Sequence, residues 1–177
     1  MTERPEPVFR HLDDVGDVPW QEVKRQRNAD GSTASVWEKW FAFSAEPPYL
    51  SLYARYDPGM IVRRHGHHSP HVVFVVGGSV WCEDRLCPAG THIELPEGAA
   101  FGPFRAGPEG VTMVEVMLGD PRSWGDRPEL VDALRAEHGV TELPDPEIDL
   151  PAWLEDARAK WNPPGAGTST DDGRMPG

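Results

Sequence analysis

The sequence predicts a mostly β protein that folds as one antiparallel sandwich or barrel. Its 177 residues are enough for one domain with a substantial core. The 19 prolines and 18 glycines separate short stretches that are rich in β-branched and aromatic residues. Helical spacing of apolar residues begins only after Asp120, so strands and helices do not alternate as they do around a parallel sheet.

The N-terminal part, residues 1–35, is predicted to be an arm. Positions 1–30 are mostly polar and are expected to be irregular, with Val18 and Trp20 packed against the body of the protein. A turn signal, NADG, follows at positions 28–31. The arm is therefore expected to end where the first aromatic strand begins.

The strands are predicted between residues 36 and 120. The clearest is LSLYARY at 50–56, in which Leu50, Leu52 and Ala54 share one face and would be buried together. Turns that contain Pro or Gly separate it from its neighbours. The predicted strands are all short, and they span 36–43, 50–56, 61–67, 71–76, 79–82, 92–95, 100–105 and 111–118.

Residues 121–161 are predicted to form a helical extension. A helix is expected over 128–138, because proline stands at its start, apolar residues recur at helical spacing and Gly139 follows its end. A second short helix is expected over 152–160. The tail 162–177 is rich in Pro, Gly, Ser, Thr and Asp and is expected to be disordered.

Charge and hydropathy exclude several classes of partner. The net charge of −12 argues against nucleic acid and anionic membrane surfaces, since both attract basic patches. The longest apolar run, 72–76, is far too short to span a bilayer, and the N-terminus lacks the apolar core of a signal peptide. The two cysteines have no C-x-x-C spacing. We therefore expect a cytoplasmic protein with reduced thiols.

Three closely spaced histidines are the strongest functional signal in the chain. His65 and His67 would point to the same face of a strand, with Arg63 beside them. His71 opens the run HVVFVV, which is typical of a buried strand. Two adjacent strands would bring the three imidazoles together, and neutral imidazole binds transition metals such as Zn, Fe, Cu and Ni.

The spacing around these histidines resembles the first motif of the cupins, G-x5-H-x-H-x3–4-E-x6-G. Gly59, His65, His67 and Gly78 fall in register, and His71 stands where the family usually has Glu. The resemblance implies a single cupin domain, a jelly-roll-like antiparallel barrel over residues 36–120. It also implies a metal at the centre of that barrel.

The second cupin motif, G-x5-P-x-G-x2-H-x3-N, is matched with one departure. Gly90, Pro96 and Gly98 are in register, and Phe101 stands where the family usually has its last histidine ligand. The two departures compensate for each other, because three imidazoles remain. The resemblance implies one divalent ion, with Fe²⁺ favoured over Mn²⁺, Ni²⁺, Zn²⁺ or Cu²⁺. Three neutral ligands leave the ion its full charge and favour an anionic or enolate-like chelating substrate.

Two further residues are candidates for the metal site, each with an alternative. His92 would be a fourth ligand and Glu94 its partner if their strand face is internal; otherwise both are ordinary surface residues. Glu115 lies in VTMVEVML, where both faces of the strand are apolar. It would orient a ligand histidine or act as a general base if it is buried, and it would be a salt-bridged surface residue if it faces outward.

The remaining candidates concern the substrate pocket. Arg63 would bind a substrate carboxylate, the alternative being a surface arginine at the rim of the barrel. Aromatic residues near the motifs are expected in the core or the pocket wall, among them Trp81, Phe101 and Phe104. Phe in place of a ligand would leave one side of the metal apolar and one coordination position open.

The leading functional prediction is a metal-dependent enzyme that acts on a small organic molecule. The resemblance of three-histidine cupin sites to those of known dioxygenases favours an Fe(II)-type dioxygenase. A metal-assisted isomerase or lyase, or a non-catalytic cupin that binds a small ligand, are the alternatives. A homodimer is expected, because the aromatic strand 36–43 would be an exposed edge unless it is paired or covered.

Overall fold

The computed structural model describes residues 6–13 and 18–148, together with the single positions 152 and 156. The predicted tail, 162–177, and most of the predicted second helix, 152–160, lie outside the described residues.

Residues 6–13 and 18–148 contain twelve strands and one helix, α1, numbered here in chain order. They are β1 (Gln21–Arg27), β2 (Thr33–Ala45), β3 (Pro48–Tyr56), β4 (Ile61–Val62), β5 (His65–His68), β6 (His71–Cys82), β7 (Arg85–Pro88), β8 (His92–Leu95), β9 (Ala100–Phe101), β10 (Phe104–Met117), β11 (Asp120–Gly125), α1 (Pro128–His138) and β12 (Thr141–Glu142).

The strands form two sheets in which every pairing is antiparallel. The larger sheet runs in the order β12-β1-β2-β3-β10-β6-β7, with β4 paired to β10 and β8 paired to β6. The smaller sheet has the order β11-β5-β9. The mostly β, antiparallel fold predicted from the sequence is confirmed.

Alternating apolar residues of the large sheet build the core. In β3, Leu52 and Ala54 are buried, as the alternation in LSLYARY predicts, and they pair with Glu115 and Met113 of β10. Val73 of β6 is the partner of Glu115 on the other side and is also buried. The inner face of three central strands is therefore mainly apolar and is interrupted by Glu115 of β10 and His71 of β6.

The segment expected to be irregular contains a strand, β1. Its sequence, QEVKRQR, lacks apolar alternation, which is why it was not predicted. Its inward Gln26 is 1% exposed and takes part in the core through its amide group. The Gln26 Oε1 accepts a hydrogen bond from the Ile61 N–H at 2.8 Å, and Nε2 donates to the Gly59 carbonyl at 3.1 Å. These bonds allow a polar side chain to lie inside the sheet.

The aromatic strand β2 is not an edge strand. It pairs with β1 on one side and with β3 on the other. The expected exposed edge at 36–43 is therefore wrong, although the homodimer itself stays a prediction.

The helix α1 is confirmed with its predicted bounds. Pro128 stands at its start, and Gly139 follows its end in the left-handed conformation (φ 65°) and donates its N–H to the last turn. Val131 is the buried residue of this helix. Among the described residues, no helix is long and apolar enough to cross a membrane.

Candidate functional site

The three histidines meet where the smaller sheet faces the beginning of β6. The imidazole centroids of His65 and His67 are 5.3 Å apart, and those of His67 and His71 are 4.7 Å apart. His67 and His71 are 9% and 1% exposed. The parity of β5 and the buried start of β6 thus bring together the cluster predicted from the sequence.

The backbone around the histidines is unusually close-packed at Gly66. A Cβ atom at this position would lie 2.4 Å from the Ala99 carbonyl oxygen and 2.5 Å from the Trp124 ring. Only glycine therefore allows β5 to lie between β9 and β11 while the residues on either side of Gly66, His65 and His67, point inward.

Hydrogen bonds to backbone carbonyls fix the tautomers of two rings. The Nδ1 atom of His65 is 3.0 Å from the Arg63 carbonyl, and that of His67 is 2.7 Å from the Pro121 carbonyl. A carbonyl oxygen can only accept, so Nδ1 carries the hydrogen in each ring and Nε2 carries the free lone pair. Histidines that bind metals are commonly oriented in this way.

The free lone pairs have no protein partner. Among the described residues, neither the buried His67 Nε2 nor the buried His71 Nδ1 has a hydrogen-bond partner. Buried nitrogen lone pairs without partners fit a site for a transition metal. Within the same described residues, no three His, Cys, Asp or Glu side chains are already arranged as a ligand set.

Burial favours the neutral form of His65 and His67. Desolvation lowers the pKa of His65 to about 4, and the neighbouring His67 acts in the same direction. The pKa of His67 is also lowered, first by burial and then by the charge of His71. Neutral imidazole is the form that binds metal.

Glu115 is brought to the cluster by its position on β10. Its Oε2 lies 3.0 Å from Nε2 of His71, and the two side chains are 10% and 1% exposed. Burial acts to raise the pKa of Glu115, but the contact with His71 and the charge of that ring outweigh it, so the pKa lies below its usual value. Glu115 is thus an ionised partner of His71 and does not face outward.

Two phenylalanines close one side of the cluster. The Phe101 ring lies 5.0 Å from the His65 centroid and 5.5 Å from that of His71. Phe104 stacks edge-to-face on Phe101 at 4.5 Å and is 5.9 Å from His65. Phe101 therefore lies where the alignment with the second motif puts it, and it gives the imidazoles an apolar wall.

Arg63 lies at the opening beside the histidines. It lines a cavity of about 350 Å³ together with His65 and His67. Its Nη2 donates to the Ser123 hydroxyl at 3.4 Å. The guanidinium is therefore available to a ligand in this cavity, which is called the Arg63 cavity below.

The prediction that His92 is a fourth ligand is wrong. His92 is exposed and pairs with Phe74 of β6, which is 43% exposed on the outer face. The inward residues of β8 are Ile93 and Leu95, so Glu94 also faces solvent. The strand lies where the sequence predicts it, and the alternative in which His92 and Glu94 are surface residues is the one that holds.

Trp81 does not belong to the pocket wall. Its neighbour Val80 is fully buried, so Trp81 points to the opposite face of β6. There its ring lies 6.0 Å from the guanidinium of Arg105, its partner in β10.

Glu38 is a pocket residue that the sequence analysis missed. It lines the Arg63 cavity and also a second cavity of about 280 Å³. The Trp40 Nε1–H donates a hydrogen bond of 2.7 Å to Glu38 Oε2. Burial, followed by the charge of Glu115, raises the pKa of Glu38 to about 7. Glu38 has the same parity in β2 as the buried Val36, but Lys39 of the opposite parity is buried too, so the alternation does not show which face is inward.

The second cavity is named the Trp40 cavity. Its wall is largely apolar and includes Trp40, Phe43, Leu50, Leu52 and Met117. It shares Glu38, His67 and Ser123 with the Arg63 cavity. The two cavities thus adjoin at the histidine cluster. Lys24 and Arg63 line the first, whereas the second is mainly apolar apart from Arg122.

The fold is shared with solved structures of cupins. A proposed acetylacetone dioxygenase from Methylibium petroleiphilum PM1 superposes with a TM-score of 0.56, at 13% identity, over 91% of this chain and 98% of that chain. An RmlC-like cupin from Ralstonia eutropha JMP134 superposes with a TM-score of 0.50, at 17% identity, over 77% of this chain and 94% of that chain. At these identities the likeness shows the fold alone.

Comparison of the amino-acid sequence with known proteins reveals weaker similarity than comparison of the folds. No family profile matches the chain. Uroporphyrinogen decarboxylase of Azoarcus sp. (strain BH72) is 27% identical over 107 residues, which are 58% of this chain and 30% of that protein. This chain therefore spans less than a third of the length of that relative.

Proposed function

Since the chain has the cupin fold, we propose that it is a metal-dependent enzyme that acts on a small organic molecule, with Fe(II)-type dioxygenation as the leading activity. The observation that carries this proposal is the cluster of three imidazoles, in which burial favours the neutral form of His65 and His67. Their unpartnered nitrogen atoms adjoin two cavities large enough for a small molecule.

The metal would be held by His65, His67 and His71. Nε2 is the available donor atom in the first two, and Nδ1 is available in His71 because Nε2 faces Glu115. Imidazole donors suit Fe, Mn, Ni, Zn and Cu, and Fe²⁺ is our first choice. A redox-active ion supplies the one-electron and dioxygen chemistry that side chains lack.

The protein contributes orientation, exclusion of water and charge. Glu115 holds His71 in one orientation, and Phe101 and Phe104 keep water from one side of the cluster. Arg63 would attract the negative oxygen of a substrate in its cavity. These features together suit an anionic or chelating substrate.

The substrate class receives some support from the comparison with the proposed acetylacetone dioxygenase. Its name indicates a 1,3-diketone, which forms a chelating enolate of the kind that the charge of the site favours. The fold alone is shared at this identity, so 1,3-diketones serve here as the first compounds to test.

The experiment is metal analysis joined to an oxygen-uptake assay with acetylacetone. The protein should be purified without a metal-chelating column, and about one Fe or Mn per chain with oxygen uptake would support the proposal. His67→Ala should lose the metal, whereas the matched control His68→Ala should keep it, because His68 is exposed next to the cluster. Zn or Ni without oxygen uptake would favour an isomerase or lyase, and a folded protein that binds no metal would favour a small-ligand-binding cupin.

A further inference from the structure

We propose that Glu38 is an acid–base catalytic residue of this pocket, which takes a proton from an O–H or C–H group of a substrate at the junction of the two cavities. This inference rests on the proposed function only in that a small molecule occupies the pocket. It assigns a role to a carboxyl group that is not part of the histidine cluster.

The position of Glu38 supports this role. Among the described residues it is the carboxyl group that lines both cavities. Trp40 holds its Oε2 by a hydrogen bond of 2.7 Å, which leaves Oε1 for a ligand. Its cross-strand partner in β3 is Ala54, whose side chain is too small to cover the carboxyl group. The group is thus fixed at one oxygen and available at the other.

The surroundings of Glu38 allow it to hold or release a proton near neutral pH. The groups that face it are Lys24 of β1, Tyr56 of β3 and Glu115 of β10, and the histidines of β5 lie across the Arg63 cavity. Lys24 favours the ionised form, but it is already paired with Asp145. Burial and Glu115 favour the protonated form, and together they place the pKa of Glu38 at about 7.

The other buried carboxyl group is not suited to this role. Glu115 is in contact with His71, and its pKa is held below the usual value. Tyr56 is not suited either, because burial raises the pKa of its hydroxyl well above the usual value, so it does not ionise. When two carboxyl groups in one pocket have pKa values pushed apart, the one with the raised pKa is the acid–base group.

The two cavities indicate an amphipathic substrate. An apolar or aromatic part would lie against Trp40 and Phe43, and a carbonyl or anionic oxygen would face Arg63. In the proposed step the O–H or C–H bond of the substrate breaks and its proton passes to the Glu38 carboxylate. The electron pair remains on the substrate as an enolate or phenolate, whose negative charge the guanidinium of Arg63 stabilises.

A suitable probe is 4-nitrophenol, which carries an apolar ring and a hydroxyl whose ionisation is visible. The complex with Glu38 would hold one shared proton. Binding must therefore release a proton at low pH, where both groups are protonated, and take one up at high pH, where both are ionised. The affinity of the wild-type protein should accordingly fall on both sides of a maximum near the pKa of Glu38, which is about 7.

The test compares this pH profile in variants of the protein as purified, and again after treatment with a chelator. The wild-type profile should have two limbs, the fall in affinity below the maximum and the fall above it. Glu38→Gln keeps an acceptor for Trp40 but does not titrate, so its profile should lose one of these limbs. Its affinity for the probe at pH 7 should also fall about tenfold. Glu38→Asp should keep both limbs. Glu94→Gln, the same change at an exposed glutamate on the outer face, should behave as the wild type.

The inference is overturned if Glu38→Gln keeps both limbs, or if the wild-type protein binds no probe or shows a single limb. Metal content and oxygen uptake are measured on the same samples. A two-limbed profile that depends on Glu38 in protein without metal or oxygen uptake would overturn the proposed function alone. Unchanged probe binding in a Glu38→Gln variant of an oxygen-consuming enzyme would overturn the role of Glu38 alone.

Discussion

The carboxylate of Glu115 lies 3.0 Å from Nε2 of His71, and both side chains are almost completely removed from solvent. His71 stands where the resembling motif has a glutamate, so the carboxylate of this site comes from β10, the neighbouring strand. The pairing of β10 with β6 puts Glu115 beside Val73, two residues from His71 and on the same face. A negative charge is thus kept next to the histidines even though their own segment contains none.

Removal of this carboxylate should weaken the metal site. Glu115→Gln leaves the shape of the side chain but removes the charge that orients and polarises His71. We expect metal affinity to fall about tenfold or more, the size found for partners of metal-binding histidines. Competition with a chromophoric chelator measures it, with Glu94→Gln as the matched control. Equal affinities in the two variants would show that Glu115 does not support the site.

Acid should release the metal only well below neutrality. Burial lowers the pKa values of His65 and His67, that of His65 to about 4, so protons compete with the metal less than they would at the ordinary imidazole value. We expect the metal to be retained at pH 6 and lost as the pH approaches 4. Metal content after rapid gel filtration at each pH decides this. Loss of the metal already above pH 6 would contradict the lowered pKa values of His65 and His67.

Glu38 should make the folded state less stable as the pH rises. Its pKa is about 7 in the folded protein, whereas an exposed glutamate has 4.5, so the folded state binds more protons between these values. Its contribution to stability is therefore full below pH 4.5 and is lost as the pH rises through 7. Glu38→Gln has no carboxyl group to ionise, so it should not show this loss of stability at high pH.

The melting temperature of Glu38→Gln relative to wild type should accordingly be higher at pH 8 than at pH 5. Glu94→Gln should show no such pH dependence, because Glu94 is exposed. A Glu38→Gln difference that is the same at both pH values would mean that Glu38 titrates normally.

Substitutions of Phe101 test which coordination positions of the metal a substrate needs. Phe101→His puts an imidazole beside His65 and His71, where the cupin motif has a ligand. We expect the metal to bind more tightly and oxygen uptake to fall, because the new ring occupies space that the substrate requires. Phe101→Leu keeps the wall apolar and should bind metal as the wild type does. Full activity in Phe101→His would show that this side of the ion is not used.

We also expect a homodimer, with the outer face of β6 and β10 as its interface. Phe74 and Val114 are direct cross-strand partners on this face, and Leu118 is 54% exposed nearby. Exposed apolar patches of this kind commonly mark contacts between proteins. Light scattering at micromolar concentration should give the mass of a dimer for the wild type and of a monomer for Phe74→Lys. Phe9→Lys, at an exposed residue of the arm, is the control, and a monomeric wild type would refute the dimer.

Local patterns in the sequence were enough for the fold class, the helix and the inward direction of His65 and His67. Strand alternation and helix end signals depend on residues that are close in the chain, and glycine and proline spacing marks the turns between strands. The motif register also put Phe101 beside the histidines, although no periodicity around it shows which face is inside.

The tertiary structure decided which faces are inward and which distant groups meet. Glu38 and His92 both lie in strands with ambiguous alternation, and only the packing of the sheets turned Glu38 into the pocket and His92 to solvent. The contact between Glu115 and His71 depends on the register of two strands that are joined by more than twenty residues of chain. The Pro121 carbonyl that orients His67 lies on β11, which has no alternating apolar pattern. Such contacts come from hydrogen-bond pairing between remote strands, which leaves no periodic signal in the sequence.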